Sequence, residues 1–166
     1  MIPDLENQKW WGFLDKPMQE LVVESVVLLG REEVRREQMA DYSFVVFPIA
    51  KAYEGFLKKM LFRSGLISEF QLKGRHFRIG RSLNPDLPNR FRDEDWLWDD
   101  MDRFFKKVGD EDLARRVWEA WSRGRNKLFH YFADHEDFIS LPEARERVEL
   151  FVEVMGRVIE AQSNNQ

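Results

Sequence analysis

Apolar residues recur along this chain at helical spacing, and no run alternates convincingly enough to read as strand. The pattern predicts helices over about 16–38, 42–63, 93–107, 111–132 and 141–162. Asp15 is placed to cap the first, with Pro17 in its opening turn, where a missing N–H costs nothing. Ser140-Leu-Pro-Glu143 has the form of a capping box ahead of the last. Between the second and third lies an irregular stretch, 64–92, in which HFRIG has the look of a short strand. The expectation is an all-α, antiparallel bundle of four to five main helices with one long basic loop after the second. It occupies 1–166 as a single domain, with 1–14 as an N-terminal extension and 163–166 as a frayed tail.

Two positions break the apolar stripes. At about 100° per residue, Ala114, Trp118, Trp121, Leu128 and Phe132 project along one side of the fourth helix, and Arg125 falls among them. On the second helix, Phe47, Ala50, Leu57 and Leu61 surround Glu54 in the same way. A lone charge in an apolar seam is costly, so the two are expected to pair where the stripes meet. Such a pair is either a purely structural salt bridge or part of a site. Asn126 and His130 lie one turn apart on a face flanking the stripe, which puts His130 at the rim of the helix contact. A fixed guanidinium supplies planar donors to phosphate oxygens, and an accessible imidazole moves protons near neutral pH.

Composition narrows the chemistry. There are no cysteines, which removes disulfides, thiolate metal sites and cysteine nucleophiles together. The content is 43% hydrophobic and 34% charged, ordinary for a globular domain. The longest apolar run, LVVESVVLL, is broken by Glu24 and falls short of a membrane span. The first residues lack a secretory signal pattern, so a cytoplasmic location is expected. Net charge is −4, but it is unevenly spread. Residues 73–92 carry Lys73, Arg75, Arg78, Arg81, Arg90 and Arg92 against Asp86 alone, and 93–112 are strongly acidic. The basic stretch is either a track for a phosphate backbone or a solvated surface balanced by the acids that follow. Phe77, Phe91, Trp96 and Trp98 interleave with it, and such aromatics are more often core than stacking platforms. The run DEDWLWDDMD suits a helix N-terminus better than a magnesium site. His130 and His135 are poorly spaced for joint ligation. No metal and no cofactor are expected.

The segment Arg125-Asn126-Lys-Leu-Phe-His130 resembles the R-x(4–6)-H signature of the HEPN superfamily of ribonucleases. The stretch KAYEGFLKKML (51–61) and the IGRSLNP loop after it are similar to the HEPN domain of RNase LS-type toxins (the RnlA and LsoA group), over about residues 40–160. The resemblance implies a metal-independent endoribonuclease acting as a toxin or antiviral defence effector. Arg125 and His130 would then be the catalytic pair, with Asn126 and Glu54 associated, and Lys51 would match a basic position of the toxins. Arg123, Lys127, Tyr131, Arg75, Arg78 and Arg81 are the further candidates for RNA contact. Partners implied are the RNA substrate, a second copy forming a composite active site, and a protein antitoxin; no membrane is implied. His130-Tyr131-Phe132 departs from the R-x(4)-H-x-Y form whose tyrosine receives a nucleotide, so that modification is not expected. The N-terminal domains of RNase LS toxins have no counterpart in this sequence. The alternative reading is an inactive HEPN-like module that binds RNA or nucleotide, or dimerises.

Overall fold

The computed structural model describes residues 4–126, 128–129 and 138–163, and every regular element among them is helical. Seven α-helices follow in order: α1 (Lys16–Val34), α2 (Ser43–Arg63), α3 (Glu69–Lys73), α4 (Ile79–Ser82), α5 (Trp98–Lys107), α6 (Leu113–Trp121) and α7 (Leu141–Ser163). No helix among the described residues is long and apolar enough to cross a membrane.

The centre of the bundle is α2. Tyr53, Phe56, Leu57, Met60 and Leu61 are fully enclosed, and α2 packs chiefly against α1 and α7. Each such side chain contributes roughly 1.5–3 kcal/mol through burial. Tyr53 adds a fixed point, because its buried hydroxyl donates to the Val117 carbonyl on α6 at 3.1 Å. The first helix opens at Asp15 with Pro17 in its first turn, as expected. Asp15 does not cap it, however. Its carboxylate pairs with Lys59 of α2, whose ammonium also takes the Phe13 carbonyl at 2.8 Å. The last helix starts on the expected box: Glu143 accepts from the Ser140 backbone at 2.7 Å, and Ser140 Oγ accepts in return from the Glu143 N–H. The Ser140 hydroxyl also donates to the Glu143 carboxylate at 2.7 Å, and this bond, with the backbone one, holds that carboxyl below its ordinary value.

Four expectations are corrected. The first helix ends at Val34 instead of near 38, because Arg35 turns extended and its N–H bonds back to Glu32. The stretch 64–92 contains α3, α4 and a 3-10 turn at Asn89–Phe91. HFRIG is no strand. Arg78 is extended, which sends buried Phe77 and Ile79 the same way, but Ile79 already begins α4. The third helix starts at Trp98, not at 93. The acids before it serve neighbours instead: Asp93 pairs with Arg81 at 2.7 Å, and Asp95 accepts from Gln71 at 2.7 Å.

The fourth helix departs most. Regular α-geometry stops at Trp121, and Ser122–Asn126 form a π-helical turn. Leu128 and Phe129 lie in a turn beyond it. Inside the π turn, Gly124 is pressed against α7, where a Cβ would stand 2.3 Å from the Phe151 ring. Only glycine permits that approach.

Candidate nucleic-acid interface

The π turn and α2 bring the two anomalous charges together. Arg125 Nη2 lies 2.9 Å from Glu54 Oε2. The other Glu54 oxygen faces Lys58 Nζ at 3.3 Å, one helical turn along. Beneath the guanidinium is the Trp121 indole, whose ring centroid is 4.9 Å from its central carbon. A carboxylate on one side and an aromatic face below fix the fork of Arg125 in place.

The surroundings of this pair correct the expectation of a dry seam. Glu54 is 26% exposed and Arg125 38%. The cause lies in the backbone: a wheel drawn at α-helical pitch fails beyond Trp121, since each π-helical residue turns through less than 100°. Arg125 therefore leaves the apolar line that Ala114, Trp121 and Leu128 keep. On α2, Ala50, Leu57 and Leu61 are buried as expected, while Phe47 is 54% exposed and meets Phe129 edge-on at 5.2 Å.

Instead of a seam there is a cleft of about 600 Å³. One wall is α2 with the π turn, giving Glu54, Lys58, Arg125 and Asn126; the other is the segment from Arg75 to Leu87. Among the described residues, five cations (Lys58, Arg75, Arg78, Arg81 and Arg125) line it against the carboxylate of Glu54. Their states differ. Arg81 is spent on Asp93 and on the Phe91 carbonyl at 2.8 Å. Arg92, outside the lining, staples the loop by donating to Leu87 and Pro85 carbonyls while stacking on Trp96. Arg75 and Arg78 make no ion pair among the described residues. Of the basic stretch, Arg81 is thus balanced by an acid of the segment that follows, as a solvated surface would be.

One approach sets the far wall. Gly80 lies so close to Trp121 that a Cβ there would stand 2.7 Å from the indole nitrogen. That nitrogen is buried and has no hydrogen-bond partner among the described residues.

Of the sequence-predicted residues, Glu54, Arg125, Asn126, Arg75, Arg78 and Arg81 come together in the cleft. Lys51 is exposed and outside its lining. Arg123 points the other way, to Glu119 at 3.1 Å and Glu146 at 3.8 Å. His130, Lys127 and Tyr131 lie outside the described residues. Sequence reasoning missed Lys58, although its position four residues after Glu54 was a readable signal. It also missed Asn84 and Gly80, for which no local pattern exists. Among the described residues, no three His, Asp or Glu side chains are grouped to hold a metal ion.

No protein-family model, curated protein or solved structure matches this chain.

Proposed function

We propose that the chain is a metal-independent endoribonuclease whose cleft receives the phosphodiester of RNA. The observation that supports this is the fixed Arg125 fork, presented to a cleft with five cationic side chains and one carboxylate among the described residues. A phosphate docked there would gain planar guanidinium donors from Arg125 and screened attraction from Arg75 and Arg78. Glu54 would position Arg125, not touch substrate.

RNA carries its own nucleophile. A base removes the 2′-hydroxyl proton, the 2′-oxygen bonds to phosphorus, and the bond to the 5′-oxygen breaks as that oxygen gains a proton. Arg125 neutralises charge on the pentacoordinate phosphate. His130, five residues further on, is the group assigned to proton transfer on the strength of its spacing. A single imidazole serves both transfers poorly, which favours two copies meeting near their π turns. The products are a 2′,3′-cyclic phosphate and a 5′-hydroxyl. In a cell, such an activity fits a toxin or an antiviral effector acting in the cytoplasm and held in check by a protein antitoxin.

The test is incubation of purified protein with RNA, with and without EDTA, followed by analysis of the 3′ ends. Cyclic phosphate formed in EDTA, and lost in both Arg125→Ala and His130→Ala, is the expected result. Unchanged cleavage by His130→Ala, or dependence on a divalent ion, refutes the assignment. RNA bound but left whole would mean a binding module.

A further inference from the structure

Part of the outer face of α1, from Val23 to Val34, is apolar where a solvated face would be polar. Val22, Ser25, Leu29 and Glu32 form the side buried in the bundle. On the opposite side, Val23, Val27, Gly30 and Val34 fall within about 60° of one another at 100° per residue. Val23 and Val27 are each 43% exposed and Val34 83%. A Cβ added at Gly30 would meet nothing within 4 Å. Lys16 and Glu20 bound the stripe on its N-terminal side, so its apolar part is confined to 23–34.

The spacing of 4, 3 and 4 residues is that of a two-helix seam. Charges beside it choose the occupant. Glu24 and Arg31 flank the stripe on one side, both are exposed, and neither has an ion-pair partner among the described residues. They are one heptad apart, so they occupy equivalent seam-flanking positions of opposite sign. In an antiparallel pair of identical helices such positions face each other, and Glu24 meets Arg31 of the other copy twice about one twofold axis. The same register sets Val27 into the hollow at Gly30 and Val23 against Val34. A parallel pair would leave both charges unmatched. A membrane surface would call for a basic rim, and this one is mixed.

We infer that the outer face of α1 docks on α1 of a second copy, antiparallel, with Val27 packed over Gly30 and Glu24 paired with Arg31. The seam is short, so association is concentration-dependent. This contact is separate from a meeting of two copies near their π turns, and it does not depend on ribonuclease activity, since α1 lends no residue to the cleft.

The lack of native cysteines makes the test clean. Under mild oxidation, Val27→Cys mixed with Gly30→Cys should give a disulfide-linked dimer. Val34→Cys alone, with its two copies roughly 16 Å apart along the axis, should stay unlinked. In sedimentation velocity, Glu24→Arg or Arg31→Glu alone should raise the dimer Kd about tenfold, and the double reversal should return it towards wild type. RNA cleavage is read on the same samples, so its absence counts against the cleft's assignment and leaves the seam's test intact. A chain monomeric at every concentration, cross-linking at Val34→Cys as fast as at the matched pair, or a double reversal no better than the singles overturns the inference.

Discussion

The two walls of the cleft carry similar side chains but are held in different ways. Glu54 and Lys58 stand on α2, which buries Tyr53, Phe56 and Leu57 beside them. Arg125 stands on a turn clamped between that helix and α7 through Gly124. The opposite wall hangs on four residues of α4, the buried side chains of Phe77, Ile79 and Leu83, and the approach of Gly80 to Trp121. Charge on the first wall is fixed and partly neutralised. On the second, Arg75 and Arg78 hold no ion pair among the described residues. A rigid group that sets geometry faced by cations that add attraction is a sensible division of labour for binding a polyanion.

Substitutions can break that contrast, beginning with the largest effect. Arg125→Ala should lower RNA cleavage by about 100-fold or more while far-ultraviolet circular dichroism stays unchanged. Retained activity would mean that the fixed wall does not set the chemistry. Gly124→Ala strikes the clamp itself. The methyl would enter the Phe151 ring, and a loss of about 1–3 kcal/mol is expected in urea denaturation. Tyr53→Phe removes the bond from α2 to α6 and should cost about 1 kcal/mol.

Tyr53 also predicts a pH dependence. Burial pushes its phenol well above the ordinary value. The unfolded chain therefore releases this proton near pH 10 while the folded chain keeps it. Stability is full below that pH and falls as pH rises above it. Alkaline denaturation curves of wild type and Tyr53→Phe should converge as the pH increases. Parallel curves would show that the phenol is not enclosed.

Smaller effects are expected at the second wall and at Glu54. Gly80→Ala should weaken RNA binding with less loss of stability than Gly124→Ala, because a four-residue helix can retreat from Trp121. Arg75→Ala with Arg78→Ala should make binding less sensitive to salt, the slope falling by about one for each phosphate no longer neutralised. Glu54→Ala should cost under about 1 kcal/mol of stability, since its pair with Arg125 stands partly in water. A much larger loss would restore the dry seam.

How far the sequence could be read follows from what each feature depends on. The long helices were legible because α2 and α7 are amphipathic over many turns, and Ser140 with Glu143 marks a start by local chemistry. The meeting of Glu54 and Arg125 was legible because each sits among residues that must be buried. The water around it was not, because the π turn depends on how closely α7 approaches Gly124, which is a tertiary fact. Ser68 and Gln71 form a capping box that opens α3, a signal present in the sequence but followed by too few residues to show helical periodicity. The acids at 93–95 suggest a helix start because Asp and Glu favour one. Their partners, Arg81 and Gln71, come from a segment that only the fold brings near.

The last helix has a bearing on how the molecule is made. Arg145 on α7 pairs with Glu33 on α1, 112 residues earlier, and Gln162 donates to Ser64, 98 residues earlier. Just ahead of α7, the Ile139 N–H bonds to the Asp41 carboxylate across another 98 residues. Phe151, which locks the π turn, belongs to α7 as well. On a ribosome, then, α1 and α2 emerge as a hairpin with one side uncovered, and the arginine fork has no fixed seat until residues beyond 151 have been synthesised. A nascent chain of this protein would acquire the geometry of its cleft only late in synthesis.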